Sequence, residues 1–150
     1  MEKKSILMIL VILVLIFITG ASASADFNTQ AKVGSSTFDL PNGFHTVDSD
    51  KSDLVNITNG YDTLLLKECG TDNITKYVKT YVKNLKEDNK TVKVKNFTVD
   101  DIMVYKSVVV NDTDNLHYWF NHDGKVYVCY THNGNDKTDS IVKDLIKSSK

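Results

Sequence analysis

Neighbouring apolar runs in this chain are joined by links of hairpin length, and this feature restricts the fold to a mainly antiparallel sheet. Residues 54–58 and 61–68 flank Asn59-Gly60, and residues 116–121 and 125–131 flank Asp123-Gly124. Asn-Gly and Asp-Gly supply the positive φ values that a two-residue hairpin turn needs. With a two-residue turn at Asp123-Gly124, Trp119 faces Val128, Tyr118 faces Cys129 and His117 faces Tyr130. Earlier, residues 37–40 and 44–47 read as strands around the turn Pro41-Asn42-Gly43. Residues 91–99 alternate, with Val92 and Val94 inward and Lys93 and Lys95 outward. Residues 102–110 are apolar on both faces, which predicts a central strand, and residues 111–115 read as a polar turn.

Two segments change period. In residues 72–88, Ile74, Tyr77, Val78, Tyr81, Val82 and Leu85 recur at helical spacing, with lysines opposite. Thr71, Asp72 or Asn73 can cap this helix. Residues 139–147 predict a closing helix, capped by Thr138 or Asp139, with Ile141, Val142, Leu145 and Ile146 on one face. The order is ββββαββββα: an α+β domain over residues 37–150, with about 7–8 strands and two helices. Residues 26–36, polar and aperiodic, read as a tether.

The N-terminus places this domain. Lys3 and Lys4 precede the 13-residue apolar run of residues 6–18, and two overlapping A-x-A patterns end at Ala23 and Ala25. This is the pattern of a cleaved signal peptide over residues 1–25. The alternative is an uncleaved anchor through residues 6–18. Either way the domain faces outward, secreted or held on the outer face of the membrane. No cysteine near the apolar run supports a lipid anchor.

Setting aside Glu2, Lys3 and Lys4 leaves 18 acidic and 16 basic side chains, a net charge of −2, which argues against nucleic acid as a partner. All basic side chains are lysine, and the missing arginine removes the usual bidentate anion clamp. The two cysteines, Cys69 and Cys129, are a disulfide candidate in an exported chain; the alternative is two buried free thiols. Asn56, Asn73, Asn89, Asn96 and Asn111 each begin an N-x-[ST] sequon and are glycosylation candidates.

Chemistry-bearing residues are few. His117, His122, His132 and Cys129 lie close in sequence and suggest zinc, but strand alternation puts Cys129 and His122 on the face opposite His117 and His132. Four ligands therefore do not converge, as a closed zinc site requires, and only a two-histidine site at His117 and His132 remains. The loop bearing Asp48, Asp50 and Asp53 lacks the glycine and terminal glutamate of a calcium loop. There is no nucleophile elbow, H-E-x-x-H or phosphate loop. No catalytic residue and no cofactor follow. The most suggestive feature is a face of the second hairpin carrying Trp119, Val126, Val128 and Tyr130, an interaction surface if left uncovered.

The opening stretch Phe38-Asp39-Leu40-Pro41-Asn42-Gly43-Phe44, and residues 124–131 followed by a polar loop and a helix ending Leu145-Ile146-Lys147-Ser148, resemble the ends of PsbP/Mog1-like domains. The whole chain also looks like small exported proteins of methanogenic archaea. The resemblance implies an antiparallel sandwich and an accessory or binding role, and it carries no catalytic residue. The expectation is a non-enzymatic exported domain that binds a protein or envelope component. The alternatives are a metal- or thiol-dependent enzyme using His117, His132 or Cys129, and a glycosylated structural component.

Overall fold

A computed structural model describes residues 29–47 and 50–149. The segment read as a signal peptide or anchor, and Asp48 of the acidic loop, lie outside the described residues. Nine strands and two helices follow in order: β1 (Gln30–Val33), β2 (Ser36–Asp39), β3 (His45–Val47), β4 (Leu54–Thr58), β5 (Thr63–Gly70), α1 (Ile74–Glu87), β6 (Val92–Val99), β7 (Ile102–Val109), β8 (Asp112–His122), β9 (Lys125–Thr131) and α2 (Thr138–Ser148). Strands β3 to β9 form one sheet in the order β3-β4-β5-β9-β8-β7-β6, with every pair antiparallel. β1 and β2 form a separate two-stranded sheet. The architecture is α+β, built on a mostly antiparallel sheet with two helices.

The order of elements corrects one boundary. Residues 30–33 of the expected tether are strand β1, so five strands precede α1. Ala31 and Val33 are fully buried and alternate with exposed Gln30 and Lys32. Two small apolar residues in a four-residue strand give too short a period to stand out from a polar segment. The hairpin is tied down by Gly34, whose N–H donates to the Ser52 carbonyl at 2.7 Å, and by the Ser35 N–H, which donates to Glu68 Oε2 at 3.1 Å. Gly34 has a φ of +58°, and a Cβ there would meet Glu68 Oε2 at 1.9 Å. Only glycine fits.

The expected polar turn at residues 111–115 is also corrected. β8 begins at Asp112 and runs eleven residues, past a register irregularity at Val108/Val109. Its polar start is the exposed end of a long strand, fastened where the Gly134 N–H donates to the Asp114 carbonyl at 2.7 Å. β7, read as central, is one strand in from the edge strand β6.

Both helices form as their periodicity predicts, and only the first is capped as expected. Asn73 Oδ1 accepts from the Thr75 N–H at 2.9 Å. At α2 neither Thr138 nor Asp139 caps. Lys137 holds the cap position in helical conformation without a side-chain cap, and Asn135 Oδ1, two residues earlier, accepts the Lys137 N–H at 2.8 Å.

Each face of the sheet has its own core. On one face α2, through Val142, Leu145 and Ile146, joins a cluster with Phe38, Leu66, Tyr118, Phe120 and Cys129. On the other, Ile74 and Val78 of α1 cover Trp119, Val126 and Val128. The middle strands are therefore apolar on both sides, as strands covered on both faces must be. Each large side chain buried there contributes roughly 1.5–3 kcal/mol.

Candidate functional site

The turn at Asp123-Gly124 fixes the register of β8 against β9. Trp119 pairs with Val128, Tyr118 with Cys129 and His117 with Tyr130, as a two-residue turn requires. This pairing brings several of the sequence-predicted residues together beneath α1. The His117 ring stacks on Tyr130 (centroids 5.0 Å apart, planes 6° apart) and on Trp119 (5.5 Å, 20°). Tyr81 of α1 closes over it, with its hydroxyl oxygen 3.1 Å from Nδ1. Burial and the neighbouring His132 push the His117 pKa down to about 4, so the ring is neutral at neutral pH.

Around the two-histidine site no third His, Cys, Asp or Glu is grouped among the described residues. The rings of His117 and His132 meet edge to face, with centroids 6.3 Å apart. Among the described residues, no three of His, Cys, Asp or Glu are grouped to hold a metal ion. His122 lies on the opposite face, buried against Phe38, with Nε2 3.2 Å from Asp123 Oδ2.

The disulfide candidate is corrected. Cys129 pairs with Leu66 and is fully buried in the α2-side core, whereas Cys69 packs among the α1-side residues. The two thiols lie on opposite faces of the sheet and are free. Burial pushes Cys129 up to about 12 and Cys69 up to about 11. Both are protonated thiols in apolar surroundings, unlike an activated nucleophile.

The expected interaction surface is largely covered by α1. Trp119, Val126 and Val128 are 3%, 1% and 7% exposed, and Tyr130 is half-buried. The apolar face of α1 covers most of them, but Trp119, Val128 and Tyr130 still line an open groove of about 590 Å³ together with Tyr77, Tyr81 and His117. Of the sequon asparagines, Asn73, Asn89, Asn96 and Asn111 are exposed, while Asn56 is half-buried in β4.

A more exposed apolar surface lies at the β6 end of the sheet. Tyr105 pairs with Trp119 and with Asn96, so β6 shows Val94 and Asn96 on the α1 side. α1 leaves this end partly open: Val94 is 40% exposed and Met103 45%. Between α1 and β6 lies an open cleft of about 640 Å³, lined by Val78, Val82, Val94 and Tyr105, with Lys79, Lys83 and Lys86 along its rim. Val94, expected to point inward, does face the helix layer but lies beyond its cover.

The opposite face of the same two strands carries a second cleft, of about 520 Å³. Phe97 and Val108 line it, with Lys93, Lys95, Lys106 and Lys143 around them. Lys106 Nζ is 2.5 Å from Asp139 Oδ1, which Tyr118 also hydrogen-bonds. Burial would raise the Asp139 carboxyl, but the hydrogen bonds from Lys106 and Tyr118 hold it below its ordinary value. Lys143 lies over the Phe97 ring, 5.3 Å from its centroid. Lys93 and Lys95 have no carboxylate partner among the described residues. The alternation of residues 91–99 predicts Lys93 and Lys95 facing outward, and says nothing of Lys106 or Lys143. Their direct cross-strand pairing, Lys95 with Lys106, is the signal that could have marked a positive cleft.

No family model and no curated protein matches the chain. No helix among the described residues is long and apolar enough to cross a membrane. Among solved structures, the chain is similar to the solution structure of cyanobacterial PsbP (CyanoP) from Synechocystis sp. PCC 6803, at 12% identity and a TM-score of 0.47, over 87% of this chain and 97% of that one.

Proposed function

We propose that this chain is an exported, non-enzymatic binding domain that holds a protein component of the cell envelope at the β6 end of its sheet. The observation that carries the reading is the uncovered sheet end: one edge strand with an apolar cleft on one face and a lysine-lined cleft on the other. Export rests on the basic, apolar and small-residue pattern of residues 1–25. The thiol-dependent alternative gains no support from two cysteines held protonated by burial. The metal-dependent alternative gains none from His117 and His132, which no third His, Cys, Asp or Glu joins among the described residues.

The test is a photo-crosslinking amino acid placed at position 94 in the full chain, expressed in its native host. The control is the same residue at position 61, since Tyr61 is 97% exposed and lies outside both clefts. The expected result is a defined protein adduct from position 94 and none from position 61. Equal adducts from both positions, or none from position 94, would overturn the proposal. The mass of the native protein gives a second check, because Asn96 lies on the same edge strand. A glycan at Asn96 would obstruct both clefts and count against the reading, whereas glycans at Asn73, Asn89 or Asn111 would support outward display.

A further inference from the structure

We infer that the partner docks as an extended acidic segment, adding a strand to the free edge of β6. This rests on the binding reading above and specifies its geometry. Among the described residues β6 pairs with β7 alone, so its other edge presents peptide groups without a strand partner there over eight residues. The opposite edge of the sheet is β3, only three residues long. Lys93, Val94, Lys95 and Asn96 are all exposed.

The side chains of β6 define what fits beside them. Successive residues of an added strand point to opposite faces of the sheet. On one face they would meet Val94 and, across the cleft, Val82. On the other they would meet Lys93 and Lys95, with Lys143 nearby. The complementary segment therefore alternates aspartate or glutamate with apolar residues over about six to eight positions.

Charge also decides between occupants. Lysines on an edge strand ordinarily guard against self-association. A second copy pairing through β6 would bring Lys93 and Lys95 toward the same lysines of its partner, and like charges directly opposite are destabilising. The same lysines attract an acidic strand. A negatively charged partner is thus selected over a copy of this chain, which carries a net charge of −1 overall but four lysines in this cleft.

The probe is an acetylated, amidated octapeptide of alternating glutamate and valine, titrated into the folded protein and followed by amide NMR. The expected result is shifts confined to β6, β7 and the C-terminal half of α1, with slowed hydrogen exchange at β6 amides. K93E/K95E should weaken binding by about tenfold or more while leaving the spectrum of the fold intact, and raised salt should weaken it too. Two N-methylated peptides separate strand addition from side-chain docking, because only alternate amides of a strand face its neighbour. Methylation of one alternate set should abolish binding, and methylation of the other should spare it. Equal effects from the two sets, or shifts centred on the lysine face of α1, would overturn strand addition. If the octapeptide fails while the crosslinker at position 94 still captures a protein, strand addition falls and the binding reading stands. If both fail, both fall.

Discussion

His117 shows how a single residue can be chemically conspicuous in a sequence and structurally quiet in the fold. Stacked between Tyr130, Trp119 and Tyr81, its ring is an apolar filler with one hydrogen-bonding nitrogen satisfied. Its cost appears on acidification. Burial holds the folded pKa at about 4 against an ordinary 6.5. The unfolded chain therefore takes up a proton at His117 as pH falls below 6.5, whereas the folded chain resists until about 4. The stability tied to this group is fully present above pH 6.5 and lost progressively between 6.5 and 4. At full extent the loss is about 3 kcal/mol. The carboxylates Glu68 and Asp139, both lowered, add their own loss only as pH falls below their ordinary values near 4. H117F keeps the stacking and removes the titration. Urea unfolding followed by Trp119 fluorescence should show wild type losing about 2 kcal/mol more than H117F between pH 7 and pH 5. Parallel losses in the two proteins would mean that the ring is solvated.

Among the elements, the β1–β2 hairpin makes a sharp prediction because it is short and held by few contacts. The Glu68 carboxylate accepts from the Ser35 N–H, pairs with Lys125 Nζ at 2.7 Å and lies 3.1 Å from the Tyr127 hydroxyl. It joins the hairpin to β5 and β9. G34A should displace that carboxylate and force a positive φ on alanine, the latter alone costing about 1–2 kcal/mol. Its urea midpoint should drop accordingly, and a midpoint within error of wild type would mean the hairpin is dispensable. At α1, N73A removes the cap on Thr75 and should cost about 1 kcal/mol in the same assay. These elements also show what the sequence makes legible. The β8–β9 register and the apolar stripe of α1 follow from local rules, since a turn type fixes one and helical period fixes the other. β1 escaped because Ala31 and Val33 alone cannot signal a strand, and the start of β8 escaped because its first four residues are polar. The disulfide candidate failed for a non-local reason: β5 pairs with β9 so that Cys129 lies opposite Leu66, an odd number of residues from Cys69, and no local turn marks that pairing in the sequence.

At the scale of the molecule, the decisive fact is that, among the described residues, two helices are too few to cover seven strands on both faces. No local pattern reveals which strands go uncovered. Val92 and Val94 alternate with lysines as the inward residues of a covered strand would, but α1 packs chiefly on Trp119, Val126 and Val128 and leaves Val94 in the open. The same kind of residue should therefore differ in energetic weight from one end of the sheet to the other. W119A, beneath α1, empties a filled core site and should cost about 3–5 kcal/mol. V94A and M103A remove side chains that are already 40% and 45% exposed, and each should change stability by less than about 0.5 kcal/mol. Denaturation midpoints of the three variants measure this gradient directly. If V94A instead cost 2 kcal/mol, the β6 end would be closed in solution and would offer no edge to a partner. A small cost at Val94 in the isolated domain, together with strong loss of peptide binding in V94D, would mean that this side chain serves docking rather than folding. That pairing of a silent stability effect with a large binding effect distinguishes an interaction surface from a core left unfinished.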